Sequence, residues 1–580
     1  MRYDLILNDA FKRFTKDQDK ILPPEETVRK FKEKLKRLDL DILAETKRID
    51  NGRLGIPIFF SRCGKDASTV TGTRKQMGKG ATATQSEASA VMELAERFSF
   101  FSFKNNPKNF VTGTYRDLGK DAMDFASIMK SVQDESGDPD ISRKIFETIP
   151  MKWTAAYNLT RKEKLLVPFD WFFAINEFNG PSAGNCVEEA LSQGICEIVE
   201  RHVSSLVSRR KIRTPRIDPD SATDVAVVEM VQKYHKAGIV FHLSDFTLDM
   251  GIPTVGMIAY DPTTFPETSE IVWTAGTTPD PEKALSRAMT EVAQLAGDFN
   301  TAANYVASGL PKFRSLEDAG YVMESPETVA IQTLPDISND NIRIEVENCI
   351  GALADSDFEV FVVDTQHPDL RIPAFYTIIP GAHFRERSEG TSIGMFSAKL
   401  ILEKYAPEKA IAELDRIEAL LPGKYYTRFY KGSALLSLGK PDEALPFFER
   451  ALEAEPKNEE IPSIYSYMGV CLKEAGRYTE AVKVLEKGAS FDAERTDIFN
   501  LLGFCHFKLK AHEKAIDAFN QVIRLDPSSA IDYANIGSNY REMGQYEKAV
   551  EYYEAALALD PTIHFALENL LKLTSRKGSK

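Results

Sequence analysis

The chain of 580 residues is short of several things that would settle its class at a glance. It has six cysteines, Cys63, Cys186, Cys196, Cys349, Cys471 and Cys505, and no two have C-x-x-C spacing. That spacing argues against a zinc ribbon and a disulfide scaffold, and favours reduced thiols. No apolar run approaches the length of a membrane-spanning helix, and residues Met1 to Asp9 lack the apolar core of a signal peptide. The expected compartment is therefore cytoplasmic. Positive charge is also in deficit: 72 Lys and Arg face 86 Asp and Glu, a net charge of −14. Such a chain is repelled by bulk phosphate backbone, so nucleic acid is not expected as the main partner. The one basic stretch, Ser208-Arg209-Arg210-Lys211-Ile212-Arg213, reads as a solvated helix end. What remains is an ordinary globular composition, 43% hydrophobic and 27% charged, on a chain too long for one core.

The last third repeats itself. Gly432, Gly469, Gly503 and Gly537 are spaced by 37, 34 and 34 residues, and Ala444, Ala481, Ala515 and Ala549 follow each by twelve. Phe448, Leu485, Phe519 and Tyr553 come four residues later, and Pro456, Pro527 and Pro561 close three of the units. A weaker unit precedes them at Ala410 and Pro422. Small residues let paired helices approach, the large side chain fills space between units, and proline stops the second helix. This pattern resembles the tetratricopeptide repeat, which implies an all-α solenoid over residues 391–580 that offers a face to a protein partner.

The first two-thirds mixes strand-like and helix-like runs without a strict βαβ rhythm, which predicts an α+β fold. An amphipathic helix is expected over 22–39, and strands at Val167 to Phe172, Pro253 to Tyr260 and Phe358 to Asp364. A polar linker is expected near 385–395. The run Gly78-Lys79-Gly80 invites a phosphate-loop reading, but Gly72 is one residue too far from Gly78, and Gly80 stands where Ser or Thr should bind magnesium.

Three helices carry carboxylates and arginines at helical spacing. In the first, Ser89, Glu93, Glu96 and Arg97 form one stripe. In the second, expected to be capped by Asn185 with Glu188 as its capping-box partner, the stripe is Glu189, Gln193, Glu197, Glu200 and Arg201. The small-residue loop 178–184 leads into it. The third, opening at Asp280-Pro281, carries Arg287, Glu291 and Gln294. Each stripe alone reads equally as a solvated face with an internal ion pair. Three in one domain point to carboxylates converging on divalent cations, with arginines left to balance phosphate. His202 is open as a catalytic base or a satisfied surface histidine, the second being the commoner case.

Taken in order, Gly78-Lys79-Gly80-Ala81-Thr82, Ser89-x-x-x-Glu93-x-x-Glu96-Arg97, Asn179-Gly180-x-Ser182-Ala183-Gly184-Asn185, Glu189-Ala190, Glu197-x-x-Glu200-Arg201 and Arg287-x-x-x-Glu291 resemble the YcaO family, and Pro380-Gly381 resembles the end of its domain. The resemblance covers about residues 15 to 390 and is strongest to the bacterial namesake type over 178–203. It implies ATP and Mg2+ as cofactors and a peptide or protein substrate whose backbone amide is activated by O-phosphorylation. By the same resemblance Glu93, Glu96, Glu197, Glu200 and Glu291 are metal candidates. Lys20, Thr27, Ser89, Asn185, Glu189, Arg201 and Arg287 are nucleotide candidates, with Arg287 and Glu291 nearest the chemistry. The C-terminus, Ser575 to Lys580, lacks the proline-rich tail of azoline-forming members. That turns the expectation toward thioamidation or an accessory role in ribosomal-protein methylthiolation. The expected organisation is a helical segment 1–60 belonging to the YcaO fold, the ATP-binding domain 61–388 and the repeats 391–580, with homodimerisation as a further expectation. The rival readings are a non-catalytic nucleotide-binding adaptor and a small-molecule ligase or kinase.

Overall fold

The computed structural model describes residues 5–72, 75–132, 136–301, 305, 309–325, 327–384 and 391–577. The chain forms two compact units: residues 1–137 with 147–393, and residues 138–146 with 394–580. Most of the linker expected at 385–395 lies outside the described residues.

The first unit is α+β. Among the described residues it holds three sheets whose strands pair almost throughout in antiparallel fashion. A three-stranded sheet runs Leu43–Arg48, Ile58–Cys63, Lys75–Lys79. A five-stranded sheet has the order Val272–Thr277, Thr254–Tyr260, Val240–Asp245, Arg216–Ile217, Thr328–Val329, the last pair parallel. The third runs Val111–Gly113, Met151–Asn158, Phe361–Asp364, Ala374–Ile378, Pro181–Ala183, with Glu163–Pro168 also on Met151–Asn158.

Four helices matter for the site. Pro24–Leu38 realises the amphipathic stretch and buries Val28, Phe31 and Leu35 against Val91, Leu94 and Phe98 of Ala83–Asn105, the first site helix. The second site helix is Val187–Arg210 and the third Pro281–Ala296. The third presses Leu285, Ala288 and Met289 onto Met257 and Val272 of the five-stranded sheet, so its opposite face is free for polar side chains.

Two expected strands differ. Val167 and Pro168 end a strand, but Phe169–Asn176 is a helix whose Phe169, Trp171 and Phe172 are buried. Short apolar runs do not distinguish strand from buried helix. The strand expected from Phe358 begins only at Phe361.

The second unit stacks helical hairpins. Ile393–Lys404 and Pro407–Leu420 form the weak first unit, and four pairs follow from Tyr425–Ser437 to Tyr546–Leu559, closed by His564–Lys577. The repeat glycines are sites of close approach: an added Cβ would lie 2.9 Å from Phe448 at Gly432 and 2.6 Å from Phe519 at Gly503. The large side chain of the second helix thus seats first on its own unit's glycine; Phe448 then also meets Tyr467 of the next unit, with ring centres 5.5 Å apart. The helix Pro139–Phe146, which no sequence pattern singled out, belongs here: Arg416 donates to the carbonyls of Lys144 and Ile145 at 3.1 and 3.4 Å.

Candidate active site

The three site helices are fixed at their N-termini by local chemistry. Thr82 caps the first through Gln85 N (3.2 Å), and Asp280 caps the third through Glu282 N (2.8 Å), with Pro281 in the first turn. The second departs from expectation. Its cap is Cys186, whose sulfur accepts from Glu189 N, and not Asn185. Glu189 takes the reach-back role expected of Glu188, its carboxylate accepting from Asn185 N at 2.9 Å. Glu188 instead accepts from Asn8 N at 2.6 Å.

The helices meet at one cavity of about 310 Å³, large enough for a small-molecule ligand. Its lining includes Ser89, Glu93 and Glu96 from the first helix, Glu189, Glu197, Glu200 and Arg201 from the second, and Arg287 and Glu291 from the third. Asn185 at the head of the second helix, and Lys20 and Thr27 from the N-terminal segment, complete the twelve residues selected from sequence; all lie on this one wall. Lys79, Arg97, Gln193 and Gln294 line it as well.

Each arginine lies beside a carboxylate, Arg287 across two helices and Arg97 and Arg201 within their own. Arg287 donates from Nε to Glu200 (3.1 Å) and from a terminal nitrogen to Gln193 (3.0 Å). Arg97 lies 3.5 Å from Glu96 and 4.0 Å from Glu93, and Arg201 3.9 Å from Glu197. Lys79 Nζ rests against Glu291. Around Asn185 the polar groups are spent on one another: Thr27 Oγ1 donates to Asn185 Oδ1 (3.1 Å), Asn185 Nδ2 to Glu189 (3.0 Å), and Ile21 N to the other Glu189 oxygen (2.6 Å). Glu189 therefore ties the N-terminal segment to the second helix. That segment is fastened further by Lys12, which bridges Asp19 and Glu345, and by buried Asp17, which accepts from Ala81 N and Ser286 Oγ.

Residues 77–383 match the family described as YcaO cyclodehydratase, ATP- and Mg2+-binding, over just more than half of the chain. The chain belongs to the YcaO family. Within it, a protein of Methanothermobacter thermautotrophicus described as uncharacterised is 30% identical over 62% of this chain and 93% of its own length. The ribosomal protein S12 methylthiotransferase accessory factor YcaO of Escherichia coli is 32% identical over 20% of each chain. A solved YcaO structure from Methanopyrus kandleri, bound with AMPPCP and Mg2+, shares the fold at 22% identity with a TM-score of 0.50, covering 65% of this chain and 95% of that one. Residues 406–459 and 494–562 match tetratricopeptide-repeat families, so a YcaO domain is followed by repeats. Among the described residues no helix is long and apolar enough to cross a membrane.

ATP and Mg2+ are the cofactors of the YcaO family, and the donor set here fits them. Among the described residues no three carboxylate, histidine or cysteine side chains already stand as a ligand cluster, because a lysine and three arginines lie between the glutamates. Those cations do not fully compensate the site. Burial pushes the Glu96 carboxyl well above its usual range and Glu93 upward too, against the pull of Arg97, and Glu197 adds to both shifts. Further positive charge is thus favourable there. Arg201 Nε is buried with no hydrogen-bond partner among the described residues, an orphan donor of the kind a phosphate oxygen satisfies. Against burial, Glu200 and Glu197 hold Arg287 charged. Burial, with Arg287 nearby, pulls the Lys79 ammonium down to about 7, which Glu200 and Glu93 oppose.

Lys79 is not among the twelve residues selected from sequence: Gly78-Lys79-Gly80 fails the spacing of a phosphate loop and enters only as part of the family resemblance, which assigns its lysine no role. His202 is corrected: it is not at the surface but buried, stacked 5.3 Å from His383, with Nδ1 accepting from His383 N at 2.8 Å. It does not line the cavity and serves the core.

Proposed function

We propose that this YcaO chain uses ATP and Mg2+ to activate backbone amides of a peptide or protein by O-phosphorylation, and that the repeats bring the substrate or a sulfur-handling partner. The observation that carries the reading is the convergence of six glutamates and three arginines from three helices on one cavity. ATP supplies the terminal phosphoryl group and Mg2+ neutralises its charge. The chain's own groups do the rest. Glu93, Glu96, Glu197, Glu200 and Glu291 would hold the metal and Arg201 and Arg287 would face the phosphates, all of them lining the cavity. A neutral amide oxygen is a weak nucleophile, so catalysis depends on these fixed charges spreading the negative charge of the transferring group. Glu200 orients Arg287, and Glu189 holds Asn185 and the N-terminal segment against the cavity. Similarity to the S12 methylthiotransferase accessory factor supports ribosomal-protein methylthiolation as one setting. Thioamidation, in which sulfide displaces the activated oxygen, is the other.

The rival is a nucleotide-binding adaptor, favoured by the internal cation beside each carboxylate. Oxygen tracing separates them. If the amide oxygen attacks phosphorus, an 18O-labelled backbone amide delivers its label to inorganic phosphate. Absence of label in phosphate despite ATP turnover sinks the proposal. Glu200→Gln should lower the labelled yield ~10²-fold or more by releasing Arg287, and an undiminished yield would remove Glu200 from the machinery.

A further inference from the structure

The stripe of the first site helix does not end where the cavity ends. Glu93 and Arg97 line the cavity, and Phe101 and Lys104 carry the stripe on, at i+4 and i+7 from Arg97. There the helix meets the loop that leads into the second site helix. Arg97 donates to Phe178 O (3.4 Å), with its guanidinium 5.8 Å from the centre of the Phe178 ring, and Gly180 N donates to Glu197 (3.3 Å). A Cβ at Gly180 would lie 2.4 Å from Thr377 O, and φ there is +97°, so only glycine lets the loop lie flush on the strand Ala374–Ile378. Two cavity residues thus fix Phe178 at the rim. Its side chain is 46% exposed, and its ring joins those of Phe101 (5.8 Å between centres) and Phe173 (6.2 Å) in one aromatic step.

Lys104 closes the outer end of the step. Its ammonium lies 3.7 Å from the centre of the Phe173 ring and 5.8 Å from that of Phe101, and among the described residues it has no ion-pair partner. Burial, with Lys152 nearby, holds the ammonium below the usual lysine range against the pull of Asp170 and Glu177, so a carboxylate brought to it is favourable. The step stands apart from the nucleotide candidates. Thr27 holds Asn185 at the head of the second helix, whereas Gly180 pairs with Glu197, ~18 Å further along that helix. We propose that Phe178, Phe101 and Lys104 form a subsite for the peptide segment that flanks the reacting amide: the aromatic step takes an apolar side chain, and Lys104 takes an acidic residue beside it. The subsite is continuous with the cavity through Arg97, and its unpaired cation sets the charge of the segment it fits. The inference rests on the proposed reading of the substrate as a peptide amide. Phe101 lies ~12 Å beyond Glu93 along the helix, a span that an extended peptide covers in about three to four residues, so a hexapeptide reaches both.

Photo-cross-linking reads such a subsite without turnover. The probes are capped hexapeptides, glycine throughout except for one benzoylphenylalanine followed by either glutamate or lysine. Full-length protein loaded with a non-hydrolysable ATP analogue and Mg2+ is irradiated with each probe, and mass spectrometry locates the adduct. Adducts should concentrate on residues 101–104 and 173–178, with the glutamate probe giving the higher yield. Phe178→Ser should weaken probe binding about tenfold and leave analogue binding unchanged. Lys104→Glu should reverse the preference, so that the lysine probe is taken over the glutamate probe. Adducts scattered over the surface, wild-type probe binding by Phe178→Ser, or loss of the analogue by a folded Phe178→Ser each overturns the subsite. So does a concentration-dependent dimer that Phe178→Ser abolishes, since the step would then be covered by a second copy. Should Phe178→Ser lose its fold, an unreversed preference in Lys104→Glu overturns the subsite instead. Absence of 18O label in phosphate while the probe still seats at Phe178 defeats the amide chemistry and upholds the subsite.

Discussion

Replacing Gly78 by alanine tests how the site is assembled without touching a charged group. The added Cβ would stand 2.1 Å from Ala90 N, where ordinary contact begins at 3.4 Å, so strand and helix must part by about 1.3 Å. Both obstacles are helix backbone, Ala90 N and Ser86 O, and neither can rotate away. Overpacking of this kind costs ~1–3 kcal/mol, and the parted strand also loses the buried Ser86 to Gly78 hydrogen bond, ~1 kcal/mol more. A loss of ~2–4 kcal/mol is expected. The molecule supplies its own reporter. All three tryptophans, Trp153, Trp171 and Trp273, are buried in the first unit, so tryptophan emission in guanidinium follows that unit and not the repeats. Gly351→Ala is the control. It sits in the helix Ile342–Asp355 with nothing within 4 Å of a new Cβ and no positive φ, so alanine should stabilise by ~0.5–1 kcal/mol. A Gly78→Ala transition within ~0.5 kcal/mol of wild type would refute the close approach of strand and helix.

Burial, with His383 alongside, depresses His202 from 6.5 to about 3, so its stability contribution is complete above 6.5 and is lost as pH falls toward about 3. At about 1.5 pH units below 6.5 the loss is ~2 kcal/mol; His202→Asn, whose Oδ1 can still accept from His383 N, should flatten the acid limb of a pH–stability curve, and an unchanged slope would place the acid sensitivity elsewhere. Phe448→Ala empties the seat on Gly432 and should cost ~3–5 kcal/mol within the repeats, seen as a lower helix-melting transition by circular dichroism. Tryptophan emission of the first unit should keep its midpoint; a shift of both would mean the two units unfold together. Tyr234→Phe removes the hydrogen bond to Met289 O (2.6 Å) on the third site helix and should cost ~1–2 kcal/mol by tryptophan-followed denaturation, with no loss meaning that the carbonyl finds another donor.

The parts of the site that were readable from sequence are those governed by spacing along one helix. Glu93, Glu96 and Arg97 must share a face whatever surrounds them, because helical geometry places i+3 and i+4 together. The repeats were equally legible, since Gly432, Gly469, Gly503 and Gly537 recur with partners at constant offsets and each unit folds against its neighbour. Where several local outcomes were nearly equal, the reading slipped. Val167 to Phe172 satisfies strand and buried helix alike, and the tertiary core around Trp171 chose helix from Phe169 onward.

Sequence alone thus determined which residues lie on each site helix and that the last third is a repeat array, because both follow from periodicity along the chain. Only the tertiary structure decided which groups meet across the site: Arg287 with Glu200, Lys79 with Glu291, and the Ile21 backbone N–H with Glu189. It also decided that residues 138–146 join the repeats. These are contacts between segments far apart in the chain, set by how closely backbones can pack and by the cost of burying an unpaired charge, and no local pattern encodes them.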